Sequence, residues 1–276
     1  MFLIPRPRKT ESKILREKSG EEARRGDAKP VVAKKKTSKT FSIDDLISKY
    51  SKDVLEFLGL SELNIPEELK TQISREIIEA VTMGYSTKPD GETIIKRIKR
   101  NLEGFYELIA HRIIEASDDL DEKTLEYVVY RGGRAIIPNI SKLYSLSRKY
   151  GREELIMILQ TIWNKSVSKD FIQCPHCGFN SLGSDLSCLV CGRIVNEQYV
   201  RSQLDFNNKF KLYVESASVA ELRSVLEIGY VLANSSGVFS PRSKSVIPGR
   251  IYYLIHLKPS DIHFIVESIN ERDVKI

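Results

Sequence analysis

All four cysteines of the 276-residue chain fall in one 18-residue window, Cys174-Pro175-His176-Cys177 and Cys188-Leu189-Val190-Cys191, with ten residues between the pairs. A two-residue gap lets one tight turn aim two sulfurs at a single ion. Two such turns supply the four soft, anionic ligands that tetrahedral zinc takes. Glycine follows each pair, at Gly178 and Gly192, where a positive φ turns backbone N–H groups toward the thiolates. The expectation is one structural Zn²⁺ held by Cys174, Cys177, Cys188 and Cys191, with His176 exposed beside it. Four thiolates leave no open coordination position, so the ion would fold the segment rather than react. Metal binding of about 10–16 kcal/mol, as in small zinc modules, can hold together a stretch that lacks a core of its own.

Other chemistries fit these residues less well. Cys-Pro-His-Cys also looks like the redox motif of strongly oxidising thioredoxin-like enzymes. That motif opens a helix after a strand, whereas here Gly178 follows and a second pair waits ten residues on. Disulfides need an oxidising compartment, and the opening MFLIPRPRKTESK lacks the apolar run of a signal peptide. The window 174–191 resembles a zinc ribbon, a module common in transcription, translation and replication proteins. The resemblance covers that window and no other part of the chain.

Charge is unevenly placed. Residues 1–40 hold 13 Lys and Arg against 5 Asp and Glu, a balance of +8, while the rest hold 30 against 32, a balance of −2. The segment has few large apolar residues and no sustained period, which predicts a disordered tail. Its clusters Arg6, Arg8 and Lys9, Arg24 and Arg25, and Lys34, Lys35 and Lys36 suit phosphate contact, because clustered cations on a flexible chain displace counterions. The alternative is a solubilising tether. The run KRIKR adds Lys96, Arg97, Lys99 and Arg100, read either as a phosphate-tracking patch or as a solvated helix face paired with Glu92 and Glu103.

Periodicity divides the remainder. From Phe41 the pattern is helical, with Ser42 as an N-cap, Gly59 as a stop, Pro66 opening a second helix and Gly84 closing it. Ile94, Ile98, Leu102, Phe105, Ile109 and Ile113 recur at steps of three and four, which predicts one long third helix. Glu122–Tyr130, Pro138–Tyr150 and Arg152–Lys165 complete six, broken by Gly132-Gly133 and Gly151. Beyond the ribbon, KFKLYVE alternates as a strand, a helix covers Ser218–Ala233, and RIYYLIHL is a second strand before a helix at Ser260. Short strands are expected at Val238–Phe239 and in the closing DVKI. That order is βαββαβ, ferredoxin-like, with a winged helix as the competing assignment. The expected fold class is multidomain: a basic tail (1–40), a helical domain (41–168), a zinc ribbon (169–197) and a small α/β domain (198–276).

Tyr252 and Tyr253 on the second strand have two readings, base stacking or core packing, and core packing is preferred. His111, His256 and His263 are expected in ordinary helix and strand roles, and Trp163 and Phe105 in the core. YRGGRA at 130–135 reads as an interhelical turn. There is no P-loop, G-x-G-x-x-G, G-x-S-x-G or H-E-x-x-H signature. Few Gln, five in all, with much Lys, Glu and Ile resembles a thermophile's composition. No apolar run approaches the roughly 18 residues of a membrane span, so a cytoplasmic protein without membrane contact is expected. The function expected is a non-enzymatic zinc-ribbon accessory protein of an information-processing complex, with nucleic acid or ribonucleoprotein and proteins as partners. A protein-interaction scaffold is the alternative. A further one is a metal-dependent nuclease that uses the carboxylates of ASDDLDEKTLE.

Overall fold

The computed structural model describes residues 41–167 and 170–273. Ser42 leads into α1 (Ile43–Phe57) with Asp44 and Asp45 in its first turn, where the helix dipole favours acids. After Pro66 comes α2 (Glu67–Thr82). Asp90 then accepts the Thr93 N–H at 2.8 Å and starts α3 (Gly91–Arg100). The long third helix expected from the apolar stripe is in fact two helices. Asn101, at φ −130° and ψ 39°, separates α3 from α4 (Leu102–Ala116). Ile94, Ile98, Phe105, Ile109 and Ile113 are buried across this break, so burial follows the period even where the backbone does not. α5 (Glu122–Arg131), a 3-10 turn (Gly133–Asn139), α6 (Ile140–Lys149) and α7 (Glu153–Ser166) complete the helical layer. The two glycines of YRGGRA close α5 and open the 3-10 turn.

Two short strands, β1 (Ile172–Gln173) and β2 (Asn180–Leu182), pair antiparallel with Ile172 opposite Leu182. The chain continues through α8 (Glu197–Gln203), α9 (Phe206–Ser216) and α10 (Val219–Ile228). It then enters a sheet of β3 (Tyr230–Asn234), β4 (Gly237–Phe239) and β5 (Tyr253–His256), antiparallel throughout in the order β4-β3-β5, and ends in α11 (Pro259–Asp273).

The expected strand KFKLYVE is therefore a helix. Its alternation leaves Leu212 64% exposed, whereas Phe206, Phe210, Tyr213 and Val214, at helical spacing, are buried. The pattern starts at Phe206, outside the stretch that alternates, and the 3.6-residue period wins. The helix expected over Ser218–Ala233 stops at Ile228, after which Val231 and Ala233 are buried on β3. The order is three helices, three strands and a helix rather than βαββαβ. The expected strand DVKI lies outside the described residues except for Asp273, which is helical.

The described residues form one compact unit, and buried side chains from the helical layer, the cysteine segment and the C-terminal elements join in one core. Arg201, 4% exposed, ties the C-terminal elements together. Its guanidinium donates to Asp261 Oδ2 at 2.8 Å, to Glu197 Oε1 at 3.3 Å and to the His256 carbonyl, and lies over the Phe206 ring at 4.4 Å. Among the described residues no helix is long and apolar enough to cross a membrane.

Candidate metal centre

The two cysteine pairs are built by one local design used twice. Gly178 N–H donates to the Cys174 carbonyl and Gly192 N–H to the Cys188 carbonyl, both at 2.9 Å. Cys174 N–H reaches the Phe179 carbonyl at 2.8 Å, and Cys188 N–H reaches that of Arg193 at 2.9 Å. Each bond of the first turn recurs 14 residues later. Gly178 and Gly192 have φ of +76° and +71°, a conformation that costs a side-chain-bearing residue energy. At Gly178 a Cβ would also sit 2.7 Å from Gln160 Nε2.

The turns face one another. Cys174 Sγ lies 3.8 Å from Cys191 Sγ, Cys177 Sγ lies 3.5 Å from Cys188 Sγ, and all four sulfurs are within 4.8 Å of each other. All four are free thiols. A tetrahedron of metal–sulfur bonds about 2.3 Å long has corners about 3.8 Å apart, so the donor set and its spacing fit one metal ion, and zinc suits four thiolates. Three of the cysteines are buried and Cys191 is half-buried. His176 is exposed at the tip of the first turn.

The four thiols influence one another's ionisation. Cys188 is drawn down, first by the hydrogen bond with Cys177 and then by the Cys191 N–H, the Ser181 hydroxyl and the Val190 N–H. Cys177 is pushed up by that same bond and by burial, and Cys191 is raised first by burial. One thiolate forms at its neighbours' expense, as close like charges require. A divalent ion lets all four ionise together.

Both faces of the segment are braced. From the helical layer, Ser141 Oγ donates to the Val190 carbonyl at 2.7 Å, Gln160 Nε2 to that of Cys177 at 2.8 Å and Trp163 Nε1 to that of Asn180 at 2.7 Å. The Tyr144 ring meets Phe179 edge-on at 5.6 Å. From the other side, the Tyr253 hydroxyl on β5 donates to the Leu182 carbonyl and accepts from the Ile172 N–H, both at 2.9 Å. Tyr199 on α8 donates to the Gln173 carbonyl at 3.0 Å. No motif marks these braces; aromatic residues and amides near helix ends are too common to signal them.

Tyr253 is fully buried, so of its two readings core packing holds. Tyr253→Phe leaves the buried Ile172 N–H without its acceptor and should cost about 1–3 kcal/mol. The expected result is a lower denaturant midpoint with metal content unchanged; an unchanged midpoint would show that the brace carries no stability.

The remaining sequence-predicted residues are dispersed. Lys96 pairs with Glu92 at 2.6 Å, Arg97 donates to the Val81 carbonyl at 2.7 Å and stacks over Tyr85, and Lys99 lies over the Phe57 ring at 5.5 Å. Arg100 is exposed beside a small cavity shared with Arg97 and Asn101. Arg6, Arg8, Lys9, Arg24, Arg25, Lys34, Lys35 and Lys36 lie outside the described residues. The acidic run is engaged by neighbours: Asp118 with Lys142 at 3.4 Å, Asp119 with Lys149 at 3.0 Å and Glu122 with Arg152 at 2.5 Å. Asp121 caps α5 by accepting the Thr124 N–H at 3.1 Å. His111, His256 and His263 each pair with a glutamate at an exposed surface. Comparison of the chain with protein-family models, curated proteins and solved structures finds no match.

Proposed function

We propose that this protein is a non-enzymatic, zinc-stabilised accessory component of a nucleic-acid-handling assembly. The observation that carries the structural half of this reading is the closed set of four thiolates braced from two sides. A metal there would act as a fastener between the helical layer and the C-terminal elements, with no coordination position for a substrate. The residues that would hold it are Cys174, Cys177, Cys188 and Cys191.

The nucleic-acid half rests on charge. The +8 of residues 1–40 stands against −2 for the rest, and four thiolates around Zn²⁺ make the metal-loaded body more negative by about two. Strong attraction to phosphate must therefore come from the N-terminal segment or from local patches. Two exposed apolar residues of the cysteine segment, Leu189 (52%) and Ile194 (76%), favour a second reading, a protein-interaction scaffold. The nuclease reading has little support, because the carboxylates it needs are paired with cations or used as a helix cap.

A native pull-down with and without nuclease separates the first two. Partners that disappear on nuclease treatment are expected, along with a steep fall of nucleic-acid affinity with salt. Deleting residues 1–40 should lower the slope of log K against log salt by several units. Partners that all survive nuclease would replace the first reading by the second.

A further inference from the structure

The connection between β4 and β5 carries cations and no acid. Between Glu227 and Asp261 the sequence carries Arg242, Lys244, Arg250 and Lys258 and no acid. Where this connection leaves β4 it passes the first turns of α10, and an open cavity of about 460 Å³ lies between them. Glu221, Ser224, Ser240, Arg242, Ser243 and Lys244 line it. The loop is shaped rather than loose there: Ser243 N–H donates to the Ser240 carbonyl at 2.9 Å and Arg242 N–H to Ser240 Oγ at 3.3 Å.

A second observation singles out the same wall. Ser224 Oγ is buried and lacks a hydrogen-bond partner. Several other helical hydroxyls bond to the carbonyl four residues back, as Thr82, Ser145, Ser147 and Thr161 do. Ser224 does not, and an unpaired buried hydroxyl costs stability.

The wall has two polarities. Exposed Arg242 and Lys244, the serine hydroxyls and the Ser218-capped start of α10 favour an anion. Facing them is the Glu221 carboxylate, which accepts the Tyr213 hydroxyl at 3.3 Å. Glu221 repels a bare phosphate, and Arg242 and Lys244 repel an amine. A nucleotide satisfies both ends, its phosphodiester on the cations and its sugar hydroxyl donated to the carboxylate. Cavities of about 300–1,000 Å³ hold ligands of this size, and the 2′-hydroxyl is the donor that deoxyribose lacks.

We propose that this cavity holds one nucleotide of a single RNA strand, with Arg242 and Lys244 on its phosphate and Glu221 on its 2′-hydroxyl. The proposal rests on the nucleic-acid reading above and gives the folded body a contact separate from residues 1–40.

The test uses the full, metal-loaded chain and labelled oligouridylate and oligodeoxyuridylate of equal length, followed by fluorescence anisotropy across a salt series. Arg242→Ala/Lys244→Ala is expected to weaken oligouridylate binding about tenfold and to lower the salt slope by about 0.7, since both cations meet one phosphate and single strands contribute about 0.7 per phosphate contact. Glu221→Ala should erase the preference for the ribose strand while oligodeoxyuridylate affinity holds. Wild-type binding that the double variant leaves unchanged would overturn the pocket and spare the wider reading. A preference that survives Glu221→Ala would overturn the hydroxyl contact. Failure of the wild-type chain to bind either strand would overturn the nucleic-acid reading and this proposal with it.

Discussion

Cys177→Ser is expected to release the metal and unfold the segment from β1 through Ile194. Cys177 Sγ is 3.5 Å from Cys188 Sγ and buried, so a serine there removes one of four ligands where solvent does not readily replace it. Zinc binding in comparable modules is worth about 10–16 kcal/mol, as large as the whole net stability of a typical domain. The damage should spread, because Ser141, Gln160 and Trp163 on one side and Tyr199 and Tyr253 on the other all bond to this segment's backbone. Metal analysis should fall from one ion per chain to none, and limited proteolysis should cut first between β1 and Ile194. His176→Ala, at an exposed position between two ligands, is the control and should leave metal content and proteolysis unchanged. A Cys177→Ser chain that keeps its metal and its protease resistance would contradict this account of the fold.

Arg201→Met carries the next largest expected effect. The guanidinium is 4% exposed and joins Asp261, Glu197 and the His256 carbonyl above the Phe206 ring. Removing it leaves the Asp261 carboxylate buried against an apolar side chain. Breaking one side of a buried ion pair costs about 3–5 kcal/mol. Asp261 also caps α11, accepting the Lys258 N–H at 2.9 Å, and asparagine keeps that acceptor without the charge. Adding Asp261→Asn to Arg201→Met should therefore recover much of the lost stability. Chemical denaturation of the two variants checks this, and equal losses in both would mean that the stranded charge is not the cause.

The cysteine site was legible because its chemistry is local. Two sulfurs three residues apart and a following glycine constrain one turn, and the observed φ at Gly178 and Gly192 is what that spacing demands. Helices α1 and α2 were legible from caps and glycine stops. The break at Asn101 was hidden because the stripe from Ile94 to Ile113 runs through it without losing register. The α9 error has a physical origin: Phe210, Leu212 and Val214 alternate by coincidence, and only Phe206, further back, shows the helical spacing. β3 was hidden by its brevity and by following α10 without a polar turn. The basic run KRIKR was ambiguous because charge does not reveal its partners, and Val81, Tyr85, Phe57 and Glu92 occupy three of the four side chains. The braces on the cysteine segment and the Arg201 network depend on residues tens of positions apart, which no local pattern records.

The central claim is one metal ion held by four thiolates that fasten two layers of the fold. Zinc-edge X-ray absorption on the purified chain, combined with its metal-to-protein ratio, tests that claim most directly. The prediction is one zinc per chain with a first shell of four sulfurs at about 2.3 Å. Nitrogen or oxygen in that shell, or a folded chain that carries two disulfides and no metal, would contradict it.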